Sequence, residues 1–554
     1  MFKKSKEPQL NLFSSPTALF SQRNLKIYEN QDAWHNKFRE QVTNRIDENI
    51  FKPLYCGTNG TPNASLKVLV SMMILKEAEG LSDQKLFENC RFNLLTRSAI
   101  GLFNGDDAVP TESTYYLFRK RIAEYAKEGQ ENLLEVVFKQ VTSEQCLEFE
   151  VSGKRIRMDS KLMGSNIAWL SRYELVHETL RMFYREVRSD GGGKIDQSTK
   201  AILENLLKIE GNKIVYRSTT EEVTTKLQEL GELIYKILPM FSKLESESYE
   251  ILKRVFEEQF EVENGEVRAR EKEKISAKSV QSPHDPDSTF RNKDGDKYKG
   301  YSINVTESCD EGGLNLIGQV EVKKASAADV DFLVEGISKV EEVFRDKVEA
   351  AHADGAYHSP DNQKYCEEKQ IELHLHAIQG GKGRYELEMR PGKLKVHDTA
   401  TDQEVETKEI RTKKGEVKWR IRTEKGLRYF TKQDVENSEL RKKIGETPKE
   451  ILQKRNNVEA TIFQLGYHYP NAKSRYRGEI KHQMWANLRC LWVNFVRIWK
   501  FVTKGSENSS ILVNNLLISS FNRVISAYQF ILAGETPIKD WEVPKIQYST
   551  TLVN

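Results

Sequence analysis

Tyr298-Lys-Gly-Tyr-Ser-Ile-Asn-Val305 and Leu314-Asn-Leu-Ile-Gly-Gln-Val-Glu-Val322 are two apolar-rich runs, with Asp310-Glu-Gly-Gly313 between them. Runs of this length around a glycine-containing turn predict a β-hairpin. Upstream, residues 147–162 have strand character, with Val151, Ile156 and Met158 set among polar neighbours. Downstream, Ala327 to Val348 follows helical spacing, with Val330, Leu333, Val334, Ile337, Val340 and Phe344 on one face. A short strand then ends at Asp354, a helix covers about 361–369, and Ile371-Glu-Leu-His-Leu-His-Ala-Ile378 reads as another strand.

Two long stretches interrupt this series. Residues 167–270 have helical periodicity broken at Gly191-Gly-Gly193, and are rich in Glu and Lys, as a helical insertion with a largely solvated surface would be. Residues 380–432 alternate as β-structure does, and the next helix is predicted to begin near 447. Without the inserts the order is strand, hairpin, helix, strand, helix, strand, helix. That order predicts an α/β fold with an RNase H-like mixed five-stranded sheet and flanking helices.

The segment before the sheet reads as all-α. Leu66, Val70, Met73, Ile74 and Glu77 keep turn spacing, so the first four form an apolar face. Gly80-Leu-Ser82 ends that helix and caps the next, and Pro110-Thr-Glu-Ser-Thr114 starts another that carries Arg119, Lys120 and Arg121. These helices suit either a DNA-docking module or a packing domain with a solvated basic face. The expected division is a flexible arm (1–30), a helical domain (31–140), a catalytic core (147–166, 280–379 and 445–503), a helical insertion (167–279), a basic β-rich insertion (380–444) and a helical tail (504–554).

Composition narrows the class. A chain of 554 residues suggests three or four domains. It is 38% apolar and 30% charged, with a mean hydropathy of −0.62. The net charge of +3 does not by itself mark a nucleic-acid binder, so any such surface must be local. The six cysteines lack the close spacing of a zinc knuckle or redox pair, which points to reduced thiols in a cytoplasmic protein. No apolar run reaches the roughly 18 residues of a membrane span. The nearest, Leu491 to Val502, is broken by Asn494, Arg497 and Lys500.

Three acids stand out by context: Asp159 in Arg155-Ile-Arg-Met-Asp-Ser160, Asp354 in Ala351-His-Ala-Asp-Gly-Ala-Tyr357, and Glu459 in Arg455-Asn-Asn-Val-Glu459. Alone, each aspartate is an ordinary turn former and the glutamate an ordinary helix-surface acid. In the predicted sheet the first-strand and fourth-strand aspartates come side by side, and the last helix lays its acid beside them. Three clustered carboxylates repel unless a cation joins them, and all-oxygen ligands favour magnesium, with manganese able to substitute. Between Arg411 and Lys432 there are nine Lys or Arg, including Lys418, Arg420 and Arg422, interleaved with Trp419, Tyr429 and Phe430. Basic groups neutralise phosphates and aromatic rings stack on bases, although a β-ribbon with an aromatic core reads the same way. Lys473, Arg475, Arg477 and Lys481 form a second basic patch. His374 and His376 have no Cys or third His partner, which favours a structural role. Asp285 and Asp287 in Ser282-Pro-His-Asp-Pro-Asp287 suit turn chemistry as well as ion binding. Trp485, Trp492 and Trp499 recur every seven residues, as on one packed helix face.

These residues resemble bacterial insertion-sequence transposases of the DDE class. The likeness is carried by Met158-Asp-Ser160 with Ser165-Asn-Ile-Ala168, His352-Ala-Asp-Gly-Ala-Tyr357, Arg455 with Val458-Glu459, and Arg475-Tyr-Arg-Gly478 with Ala486-Asn-Leu488. Gly80-Leu-Ser-Asp83 and Ser113-Thr-Tyr-Tyr-Leu-Phe-Arg119 look like the helical domain that precedes this core, and Ser282–Asp287, Lys293 and Gly300-Tyr301 fit the same family. The likeness covers roughly residues 35–500. Two positions depart from it: Leu452 and Gly466 stand where many members have Tyr and Lys.

The resemblance implies a metal triad of Asp159, Asp354 and Glu459, with Arg455 contacting phosphate. It implies magnesium-dependent cleavage at the ends of an insertion sequence and joining of the 3′-hydroxyl ends to target DNA. The implied partners are double-stranded terminal repeats, target DNA and at least one further copy of the chain, in a bacterial cytoplasm at the nucleoid. A DNA-binding protein that has lost catalysis, and a metal-dependent nuclease without strand transfer, are the alternatives.

Overall fold

The series of short strands read from the sequence builds one mixed sheet in the computed structural model. The model describes residues 1–5, 15–189, 195–293, 295–378, 383–391, 393–412, 416–424 and 426–504. Gly191-Gly-Gly193 and the tail from 505 onward lie outside the described residues. The chain divides into two units, Met1–Ile498 and Trp499–Asn554, of which the first is described below.

Helices fill the N-terminal part: Gln22–Glu29, Trp34–Gln41, Leu66–Glu79, Asp83–Phe92, Leu94–Ala99, Glu112–Lys127 and Leu133–Glu148. The expected arm is tied down at its start, where Phe2 N–H donates to Cys56 O (2.9 Å) and Ser5 Oγ to Glu48 (2.7 Å). Helix Leu66–Glu79 is central and buried on nearly every side, not on one face, so Glu77 is buried with the apolar residues. It stops at Gly80, whose φ of 62° is the left-handed geometry that suits glycine. Ser82 and Thr111 cap the next helices as read, accepting from the Lys85 and Thr114 N–H groups.

Strand β1 (Arg155–Gly164) follows. The helical insertion comes next: Arg172–Ser189, Gln197–Leu207, Gly211–Tyr216, Thr220–Ile237 and Glu247–Gln259. Its last ten residues are not helical but a hairpin, β2 (Phe260–Glu263) and β3 (Glu266–Ala269). Nor is it mainly a solvated surface: Val176, Leu180, Phe183, Leu230, Ile234, Leu252 and Val255 build a core of its own.

The chain then returns to the sheet through β4 (Thr289–Lys293), β5 (Asp296–Ser308), β6 (Ile317–Lys324), β7 (Ala350–Ala353) and β8 (Glu372–Leu375). The sheet has six strands, one more than expected. The added strand is β4, which pairs with the first residues of β5 while β6 pairs with the rest along the same edge. On the other edge β5 lies antiparallel to β1, with Asp159 opposite Val305. Strands β7 and β8 continue parallel to β1, with Arg157 opposite His352 and His352 opposite His374.

Strand alternation sorts the side chains of β1. Ile156 and Met158 face a core with Leu333, Ile337, Val340 and Phe344 of helix Leu333–Phe344. Arg157 and Asp159 are left for the opposite face. That helix is shorter than read, because Arg345 takes left-handed geometry (φ 59°) after it, and Val334 is exposed instead of joining the apolar face.

The β-rich insertion holds two three-stranded sheets: β9 (Tyr385–Arg390), β10 (Lys393–Asp398) and β11 (Gln403–Val405); then β12 (Lys408–Arg411), β13 (Val417–Thr423) and β14 (Gly426–Phe430). Helix Lys432–Glu446, unexpected from the sequence, closes it from a capping box of Thr431 and Asp434, and the helix expected near 447 begins at Lys449. Short helices Lys449–Gln453 and Asn456–Gly466 and the long helix Glu479–Thr503 complete the described chain.

Candidate active site

Asp159, Asp354 and Glu459 come together around one guanidinium. Arg455 Nη2 lies 3.0 Å from Asp159 Oδ2 and 3.8 Å from Asp354 Oδ2, and its Nη1 lies 3.6 Å from Glu459 Oε1. Each residue is placed by its element. Asp159 sits mid-strand, not at a strand end, because β1 runs on to Gly164 beside β5. Its neighbour β7 stops at Ala353, and the parallel register of Arg157 with His352 puts Asp354 level with Asp159. Asp354 begins a one-turn helix and accepts Gly355 N–H at 2.7 Å. Glu459 stands one turn after Arg455, so both reach the same point.

The environment is graded. The Asp159 and Arg455 side chains are 15% and 14% exposed, Asp354 42% and Glu459 61%. Burial pushes the Asp159 carboxyl above its usual range; Arg455, the Ser160 N–H and Lys293 pull against this, and Asp354 adds to it. Exposed Lys293, at the end of β4, is thus within electrostatic reach of the site.

Two residues that the sequence reading did not single out support this face. Glu307 is wholly buried and is met by Arg157 Nε (2.6 Å), Arg497 Nη1 (2.7 Å) and Thr461 Oγ1 (2.8 Å). Arg157 also donates to Lys454 O at 3.3 Å. This hub links β1, β5 and the helix carrying Glu459. Asp329, 7% exposed, accepts Ser160 Oγ at 2.7 Å and pairs with Arg291 at 3.3 Å. The available signal was a lone acid in an apolar strand for Glu307, and none for Asp329.

Among the described residues no three His, Cys, Asp or Glu side chains stand ready around one point to hold a metal ion. The three carboxylates instead surround Arg455. The donor chemistry still fits a hard divalent cation, since three carboxylates converge where a single cationic group now sits. His374 stacks on His352 (4.8 Å between rings) and meets Glu372 at 3.3 Å, an arrangement of packing. Asp285 is buried, accepting Tyr301 Oη at 2.6 Å and Ser165 Oγ, so it is a turn anchor. Trp485 and Trp492 pack on Tyr469 and Phe38.

The candidate DNA contacts divide. Trp419 is buried with Leu387, Leu394, Val396, Ile421 and Phe430, so it is the insertion's core and not a stacking platform. By alternation Lys418, Arg420 and Arg422 take the other face of β13, and Arg420 pairs across with Lys408 and exposed Tyr429. Arg119 lies over the rings of Tyr115 (5.4 Å) and Tyr476 (5.8 Å), and Arg121 over Tyr55 (5.2 Å), while Lys120 is exposed beside Glu124. Arg475 donates to Gly80 O (2.7 Å) and Leu81 O (2.8 Å), closing the end of the central helix. Arg477 donates to Asn166 O (2.7 Å). Buried Glu77 accepts Tyr469 Oη (2.5 Å) and Tyr476 Oη, which fastens the N-terminal helices to the body.

No helix among the described residues is long and apolar enough to cross a membrane. No curated protein and no solved structure matches the chain. One family model does, over residues 26–121, described as Transposase domain (DUF772). The central helix Leu66–Glu79 and helix Asp83–Phe92 fall within that match, and helix Glu112–Lys127 runs past its end. Ahead of its mixed α/β body, the chain is therefore similar over residues 26–121 to this transposase domain.

Proposed function

We propose that the chain is a DNA transposase of the DDE class, with an RNase H-like core in which Asp159, Asp354 and Glu459 hold magnesium. The observation that carries this is the approach of the three acids, from three distant parts of the chain, to within 4 Å of one guanidinium. The sheet order supports it: an antiparallel hairpin beside β1, then two parallel strands, with the Glu459 helix on the Asp159 face. The transposase domain in front of it makes DNA the partner to expect.

Magnesium, when bound, supplies charge for activating water and for stabilising the leaving oxygen. The chain's own residues do the rest. Asp159 and Asp354 offer oxygens from rigid backbone, each with one oxygen already fixed by the following N–H group. Lys293, at the site's margin, and the Lys418, Arg420 and Arg422 face are available to phosphates. Attack of water on a phosphodiester at the element end releases a 3′-hydroxyl, which then attacks target DNA. No protein nucleophile takes part. Two ends must be brought together, so the active species contains at least two copies of the chain.

The test is nicking of duplex DNA carrying the element's ends, with magnesium or manganese. Asp354→Asn is expected to abolish nicking while folding normally. Nicking at the wild-type rate by that variant would sink the proposal. Cleavage without joining would identify a nuclease, and binding without cleavage an inactive derivative.

A further inference from the structure

Arg455 occupies the point on which the three carboxylates converge, and its setting differs from that of the other arginines near the site. Arg157 and Arg497 are locked by Glu307 and by backbone carbonyls. Arg455 has no such socket: its side-chain partners are Asp159, Asp354 and Glu459, and its buried Nε has no acceptor. It sits at the junction of helices Lys449–Gln453 and Asn456–Gly466, as the residue that precedes the second.

The charge balance is incomplete. Three acids face one guanidinium, with Lys293 the further cation acting on Asp159, so acids outnumber the cations facing them and the site attracts cations with Arg455 in place. The acid oxygens lie 3.0–3.8 Å from guanidinium nitrogens, whereas magnesium takes its ligand oxygens at roughly 2.0–2.1 Å, so an ion held by all three acids must stand between them, where the guanidinium lies. A divalent ion and the guanidinium therefore exclude each other.

We propose that Arg455 is the resident counter-cation of the triad, which a divalent ion must displace on entering. This rests on the metal-site reading above and adds to it a competition between the chain's own cation and the ion. It has two consequences. The folded protein tolerates three neighbouring carboxylates without metal, and ion entry sets Arg455 free to reach a phosphate, so loading of the site and grip on DNA become linked.

Manganese binding to the full chain, followed by electron paramagnetic resonance without DNA, tests it. Wild type, Arg455→Met, Arg455→Gln and Asp354→Asn are compared, together with their melting in EDTA and in manganese. Both Arg455 variants are expected to bind manganese at least about threefold tighter than wild type. Both should also melt lower than wild type in EDTA and regain more on adding manganese, which a merely structural arginine would not cause. Asp354→Asn should bind weakly. Arg455 variants that bind manganese no better than wild type, while Asp354→Asn has lost it, would overturn the displacement and leave the metal site standing. Unchanged binding by Asp354→Asn would remove the metal site itself, and this proposal with it.

Discussion

Asp159, Asp354 and Glu459 were legible because short contexts mark them: a strand running into Asp159, a strand ending at Asp354, an Arg one turn before Glu459. Their neighbours were not, because Glu307 and Asp329 gain meaning only from burial, which a string of letters does not carry. Glu307 is the sharper case. Burial pushes its carboxyl up, yet Arg497 and Arg157 overcome this and hold it below the usual range. Its folded pKa is thus lower than its unfolded one, so its stabilising contribution is present above the unfolded carboxylate value of about 4.3 and is lost as pH falls through the folded value. Glu307→Ala is expected to cost about 3–5 kcal/mol at neutral pH, since it strands two partly buried guanidinium groups. Urea unfolding of both proteins at pH 7 and pH 3 checks it: the gap between them should narrow at the lower pH, and a constant gap would remove the ion pairs from the explanation.

The elements were read better in kind than in extent. Alternation announced the β-rich insertion, but which face of β13 is dry depends on the core it shares with β9, β10 and Val435 of helix Lys432–Glu446, whose capping box at Thr431 and Asp434 went unread. Trp419 therefore stayed open between DNA contact and the insertion's core, to which it belongs. Trp419→Ala should destabilise the insertion by about 3–5 kcal/mol, visible as faster hydrogen exchange in β9–β14. Replacing Lys418, Arg420 and Arg422 together by Ala should leave melting unchanged and weaken DNA binding, lowering the salt slope by about 0.9 for each phosphate no longer neutralised. Equal salt slopes for variant and wild type would take DNA off this face. Gly355 shows another limit of sequence, because a Cβ there would lie 1.8 Å from Ala377 O. Gly355→Ala must shift backbone beside Asp354, and is expected to cost at least about 1–3 kcal/mol in a denaturant titration and to reduce cleavage with it.

At the scale of the whole molecule, the order of strands was enough to expect a mixed sheet, since short apolar runs in that order have few ways to pair. The sixth strand escaped because β4 is short and polar, and gains its pairing from the overlong β5. The join between the N-terminal helices and the body was also illegible, because Glu77 meets Tyr469 and Tyr476 across almost four hundred residues. Tyr476→Phe leaves the Glu77 carboxylate short of a donor and should cost about 1–3 kcal/mol by thermal or chemical unfolding. A neutral result would mean that this hydrogen bond does not hold the two parts together. The most direct measurement on the molecule as a whole is the anomalous scattering of manganese in crystals of the wild-type chain. The expected result is two peaks roughly 3.5–4 Å apart among Asp159, Asp354 and Glu459, with the Arg455 side chain moved away. Manganese bound elsewhere, with Arg455 still between the three carboxylates, would contradict the assignment of this site to DNA cleavage.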